Sequence, residues 1–184
     1  MNRNPVLAIV LVLQACASAA ASGGAPTGAA EPPPWSLRPL SADEVPAVYV
    51  QQWRQAENRH SCALLAPAAL GDGAGATPRA ATFAGGWAVA YDQPGLRSAF
   101  GVAGTGVGAS APSYAGWPHS REWPDGSSVG YGPEGGTGPN QLAYLRIQGQ
   151  NCLYNVWSRL GVRHLEFLLG QLRFVTGLQQ LTPR

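Results

Sequence analysis

Two residues could serve as nucleophiles if the fold set a base beside them. Ser128 lies in Gly126-Ser127-Ser128-Val129-Gly130, a G-x-S-x-G pattern, and the order Ser128, Glu134, His164 would supply serine, acid and base. That chemistry needs a strained turn between a buried strand and a helix, which lifts the hydroxyl clear of the chain. Trp123-Pro124-Asp125 precedes the pattern and Tyr131-Gly132-Pro133 follows it, so both flanks favour a tight Asp125-Gly126-Ser127 turn instead. Cys62 is the second nucleophile, with His164 as base and Glu166 as its orienting group. Those two partners are two residues apart, so on a helix they would not share a face.

Other chemistries find less. Gly104-Thr105-Gly106-Val107-Gly108 could cradle a phosphate, but such a loop must open a helix, and Ala109-Ser110-Ala111-Pro112 is no helix start. The chain has no Lys to complete a phosphate loop. His60, His119 and His164 stand apart, without metal-ligand spacing. No cofactor is expected. Aromatic side chains beside short polar ones remain: Tyr114, Trp117, Trp123 and Tyr131 with His119, Arg121, Asp125 and Glu134. Ring faces with a few polar groups suit a glycan or peptide ligand, so Tyr114, Trp117, His119, Trp123, Asp125 and Tyr131 are the candidate binding residues. The competing reading is that these rings pin a long loop to the domain.

Composition narrows the class. The 184 residues carry 12 % charged side chains and a net charge of +2, with all twelve basic residues Arg and no basic run. Nucleic acid therefore has no electrostatic footprint here. The 24 Gly and 16 Pro require much turn and loop. The chain opens with Asn2-Arg3-Asn4, then the apolar run Pro5 to Leu13, then small residues from Ala15 to Ala21. That order reads as a secretory leader, and nine apolar residues are too few to span a bilayer.

Within the leader, Leu13-Gln14-Ala15-Cys16 resembles the lipobox of bacterial lipoproteins. The resemblance implies cleavage before Cys16, a diacylglyceryl group on its thiol and acylation (palmitate) of the new amine. It makes 1–15 the signal peptide and gives the protein a membrane contact through lipid. Ala17 is not the Asp of inner-membrane retention, which points to the outer membrane, facing the periplasm. Ordinary cleavage after Ala19 or Ala21 is the alternative. Residues 16–40, mostly Ala, Gly, Ser, Thr and Pro, read as a tether spanning roughly 25–30 Å.

Export leaves two cysteines in the domain, Cys62 and Cys152. In an oxidising compartment the expected state is one disulfide between them. The flanks Asn58-Arg59-His60-Ser61 and Ala63-Leu64-Leu65 do not match the D-C-S-G elbow of envelope thiol peptidases.

The positioning elements follow from periodicity. Ser41-Ala42-Asp43-Glu44 reads as a capping box for a helix fading near Asn58, its buried side marked by Val45, Val48, Tyr49, Trp53 and Ala56. Strands are expected over Arg79–Phe83, Trp87–Tyr91 and Ser98–Ala103, then as a hairpin over Leu142–Gln148 and Cys152–Ser158. A closing helix over Val162–Val175 buries Leu165, Leu168, Leu169, Leu172 and Val175. Residues 104–141 read as one long Gly/Pro-rich loop. The expectation is a single α+β domain over 41–184, with an antiparallel sheet of about five strands under an N-terminal and a C-terminal helix. Its function would be binding, of an envelope protein or a glycan, or structural, with a Ser or Cys hydrolase as the alternative.

Overall fold

The computed structural model describes residues 31–83, 85–106, 117–136 and 140–178. The leader, Cys16 and Tyr114 lie outside these residues. In chain order the elements are β1 (Leu40–Ser41), α1 (Ala47–Gln55), β2 (Leu65–Pro67), β3 (Thr77–Ala80), β4 (Trp87–Gln93), β5 (Leu96–Gly106) and β6 (His119–Glu122). Then come β7 (Ser128–Pro133), β8 (Gln141–Arg146), β9 (Cys152–Ser158), α2 (Val162–Gln171) and β10 (Leu172–Thr176). Seven strands make one antiparallel sheet in the order β3-β4-β5-β9-β8-β7-β6. A smaller sheet runs β1-β10-β2, with β1 parallel and β2 antiparallel to β10. The class is α+β, with more strands than the sequence suggests.

Strand register divides the large sheet into two unlike faces, because side chains alternate along each strand. One face carries Trp87, Val89 and Tyr91 of β4, Phe100 and Val102 of β5, Tyr154 and Val156 of β9, and Ala143 and Leu145 of β8, all buried. Both helices pack there: Tyr49 of α1 meets the rings of Trp87 and Tyr91, and His164 of α2 meets Phe100 edge-on. The other face carries Ala88, Ala90, Gly101, Ala103, Asn155, Trp157, Leu142 and Tyr144. This helix-free face holds small residues on β4 and β5 and larger ones on β8 and β9.

Four expectations need correction. A turn forms at Ser41, where Ser41 N–H and Oγ donate to Glu44 Oε2 at 2.8 and 2.9 Å, but it is not the capping box expected, because Ser41 Oγ caps no helix N–H. The helix starts only at Ala47, because Pro46 keeps the residue before it out of helical geometry and itself becomes the N-cap. It ends at Gln55 rather than near Asn58. The closing helix stops at Gln171, just after Gly170, and Leu172–Thr176 runs on as a strand. Phe174, Val175 and Thr176 are strand formers, and pairing with β1 and β2 outweighs the helical spacing.

The tether loses its second half. Trp35 is 3 % exposed in a short 3₁₀ turn at Pro34–Ser36, and Leu40 pairs with Val175. Arg121 also bridges to Glu31 at 2.8 Å. Last, residues 104–141 are not one loop: β5 extends to Gly106, and β6 and β7 widen the sheet. Their alternation is hidden because β7 places Gly130 and Gly132 on one face, while β6 is polar throughout and fully exposed as an edge. Among the described residues no helix is long and apolar enough to cross a membrane.

Candidate functional site

The sulfur chemistry resolves first. Cys62 and Cys152 form a disulfide with Cα atoms 4.9 Å apart, and both are buried. The bond joins the segment between α1 and β2 to the start of β9. Asn58 Nδ2 donates to Cys62 Sγ at 3.1 Å and to the Gly104 carbonyl at 2.9 Å, locking this corner against β5. Cys62 therefore offers no thiol.

The serine pattern forms a turn. Asp125 accepts from Ser127 N–H and Ser127 Oγ, each at 2.9 Å, and Ser127 Oγ accepts from Gln148 N–H at 2.9 Å. Ser128 opens β7 in register with Glu122 and Arg146, with no helix after it. His164 has a different partner, which the sequence did not single out. Its Nε2 lies 3.0 Å from the Leu70 carbonyl and must donate to it, so Nδ1 accepts from Ser158 Oγ at 2.8 Å. Ser158 Oγ in turn accepts from Leu160 N–H at 3.0 Å. His164 is 3 % and Ser158 0 % exposed, and the network fastens α2 to β9. Glu166 faces elsewhere and accepts from Tyr131 Oη at 2.8 Å.

Of the candidate ligand residues, His119, Trp123 and Tyr131 come together at one cleft, and Trp117 and Asp125 lie elsewhere. His119 stacks on Tyr131 at 5.0 Å. Trp123 is buried edge-to-face against Trp35 at 4.8 Å, with the Arg121 guanidinium over its ring. Tyr131, Trp123, Arg121 and Glu166 border a small cleft of about 230 Å³ on the helix-bearing face. Burial, with Glu166 adding to it, pushes the Tyr131 phenol up to about 12. Asp125 holds its turn. Trp117 reaches the other face, where it meets Tyr144 edge-on at 5.2 Å.

That helix-free face carries a groove of about 450 Å³. Phe83, Leu142, Tyr144 and Trp157 give it ring and aliphatic surface, and Asn155, Asn140 and Gln141 give it amides. Its floor depends on Gly101. A Cβ there would lie 2.2 Å from Trp157 Cζ2 and 2.5 Å from the Val89 carbonyl, so only glycine lets the indole cross β5. Asn155 is 5 % exposed and lines the groove. Asn140 Oδ1 is buried and unpaired among the described residues.

One end of the groove is held open by a bulge between β4 and β5. Ser98 takes φ +52, a left-handed conformation unusual outside glycine. Its N–H donates to Asp92 Oδ1 at 2.7 Å, and Asp92 Oδ2 pairs with Arg79 Nε at 2.8 Å. The Ser98 N–H and then the Arg79 guanidinium hold the Asp92 carboxyl below its ordinary value. Residue spacing gives no sign of this groove, because its members come from five separate segments. The alternation of Leu142 with Tyr144 and of Asn155 with Trp157 was the available signal, once those strands were seen to be neighbours. Compared with known proteins, the chain matches no family model, no curated protein and no solved structure.

Proposed function

We propose that this chain is a lipid-anchored envelope protein whose domain binds an envelope component and carries no catalytic centre of its own. The leader and the lipobox-like Leu13-Gln14-Ala15-Cys16 support the anchor at the outer membrane, facing the periplasm. One observation carries the binding role: a groove of about 450 Å³ on the sheet face that neither helix covers, with Asn140 Oδ1 buried and unpaired among the described residues in its wall. The volume falls in the range of ligand sites, and mixed ring and amide lining suits recognition. The nucleophiles weighed for hydrolysis are otherwise engaged, Cys62 in a disulfide and Ser128 at the start of a strand without a base beside it.

The test is a photoreactive phenylalanine analogue at Leu142 in the full chain, expressed in intact cells. Irradiation should yield an adduct at position 142. The same analogue at Arg163, on the first turn of α2, should yield none. Absence of an adduct at 142 in protein that has formed its disulfide would overturn the reading.

A further inference from the structure

We infer that the groove takes a neutral sugar chain, with one pyranose ring stacked on Trp157 and its hydroxyls paired to the Asn155 amide. The inference rests on the binding role proposed above and names its ligand class. The first argument is the location. The groove lies over β5, β9 and β8, each of which is paired on both sides. No strand edge is open there, so an extended peptide cannot add itself by backbone hydrogen bonds. A ligand must bind through its faces and side groups.

The second argument is the aromatic surface. Trp157 is partly exposed and fixed in place across Gly101, and Tyr144 is braced by Trp117. Flat, preset rings present a large apolar area at little ordering cost, which fits the C–H face of a sugar ring. Asn155 and Trp157 alternate on one strand face, about 6.5–7 Å apart along β9, so one sugar unit reaches both.

The third argument is polarity without charge. Asn155 offers both a donor and an acceptor, as does every sugar hydroxyl, so the two can pair in either sense. Asn140 Oδ1 in the same wall is buried and unpaired among the described residues, which is unfavourable until a ligand supplies a donor. An anionic ligand would need free cations. The Arg79 guanidinium is engaged by Asp92 and Ser98, and the charge of Arg159, which lines the groove, is balanced by Glu134 on the same rim. The groove therefore has no net positive charge to favour a carboxylate or phosphate.

The test titrates the full chain, held in detergent micelles, with cellohexaose, maltohexaose and chitohexaose as neutral probes and oligogalacturonate as the anionic one. Binding is read by saturation-transfer NMR and tryptophan fluorescence. At least one neutral probe should bind, and more tightly than the anionic one. Trp157→Ala should weaken binding by about tenfold or more and Trp157→Phe by much less, since a ring is kept. Asn155→Ala should also weaken it, whereas Arg163→Ala, on the exposed side of α2, should leave it unchanged. Failure of every neutral probe, equal binding by the Trp157→Ala and Asn155→Ala variants, or preference for the anionic probe would overturn the inference. An adduct at position 142 together with any of those results removes the sugar and leaves the binding role standing. Absence of both adduct and sugar binding removes both.

Discussion

Opening the Cys62–Cys152 bond should cost this domain more than any single core truncation of one methyl group. The bond closes a loop across a sequence separation of 90, including β3 to β8. Chain entropy values such a closure at roughly 4–5 kcal/mol, and about 2–4 kcal/mol is typical once unfolded-state structure is counted. For a domain of this size each kcal/mol moves the melting temperature by about 2–4 °C, so the Cys152→Ala variant should melt about 5–15 °C lower. The geometry adds a local effect. Asn58 ties Cys62 to the Gly104 carbonyl, so releasing Cys152 should free the 56–62 turn before the rest unfolds. The assay is alkylation under native conditions, read by mass spectrometry, alongside thermal denaturation followed by circular dichroism. The native domain should take up no label at Cys62 or Cys152 before reduction and two labels after it. Two labels on the folded, unreduced domain, or a Cys152→Ala melting curve superimposable on the parent, would refute this reasoning.

Three further outcomes follow from the same geometry. Ser158→Ala leaves Leu160 N–H and His164 Nδ1 without their buried partner and should destabilise by about 1–3 kcal/mol, while Ser128→Ala should stay within about 0.5 kcal/mol in the same denaturant melts. Tyr131 has its phenol raised from 10.0 to about 12, so its contribution to stability is complete below pH 10 and is lost as pH rises through 12. Absorbance titration near 295 nm should show this late phenol, and Tyr131→Phe should flatten the stability loss over that window. Cys16→Ser should leave an uncut precursor or release soluble domain in detergent partitioning; full retention with membranes would contradict the anchor.

How much of this was legible in the chain depended on whether neighbours in sequence were also neighbours in space. The β4–β5 and β8–β9 hairpins were readable because apolar runs flank Pro94-Gly95 and Gly149-Gln150-Asn151, and Gly95 at φ +72 makes the first turn. The cysteine pair was readable from compartment and count. The β6–β7 hairpin was not, since glycine and polar residues fill the positions that would have shown alternation. Nor was β10, because Leu165, Leu168, Leu169, Leu172 and Val175 keep helical spacing across the point where the backbone turns extended. Among the aromatic residues close in sequence, His119, Trp123 and Tyr131 stand together on the helix-bearing side, while Trp117 reaches the other face. The groove draws on Phe83, Leu142, Tyr144, Asn155 and Trp157, which only the strand order β5-β9-β8 and the loop before β4 bring together.

Side-chain N–H signals discriminate most directly between the two faces, because each carries its own tryptophans. The neutral hexasaccharide that binds would be titrated into the ¹⁵N-labelled protein while the indole and amide resonances are followed. The Trp157 indole and the Asn155 amide should shift, with Trp35 and Trp123 unmoved. Shifts confined to Trp123 and its neighbours in the cleft under α2, with Trp157 and Asn155 silent, would contradict it.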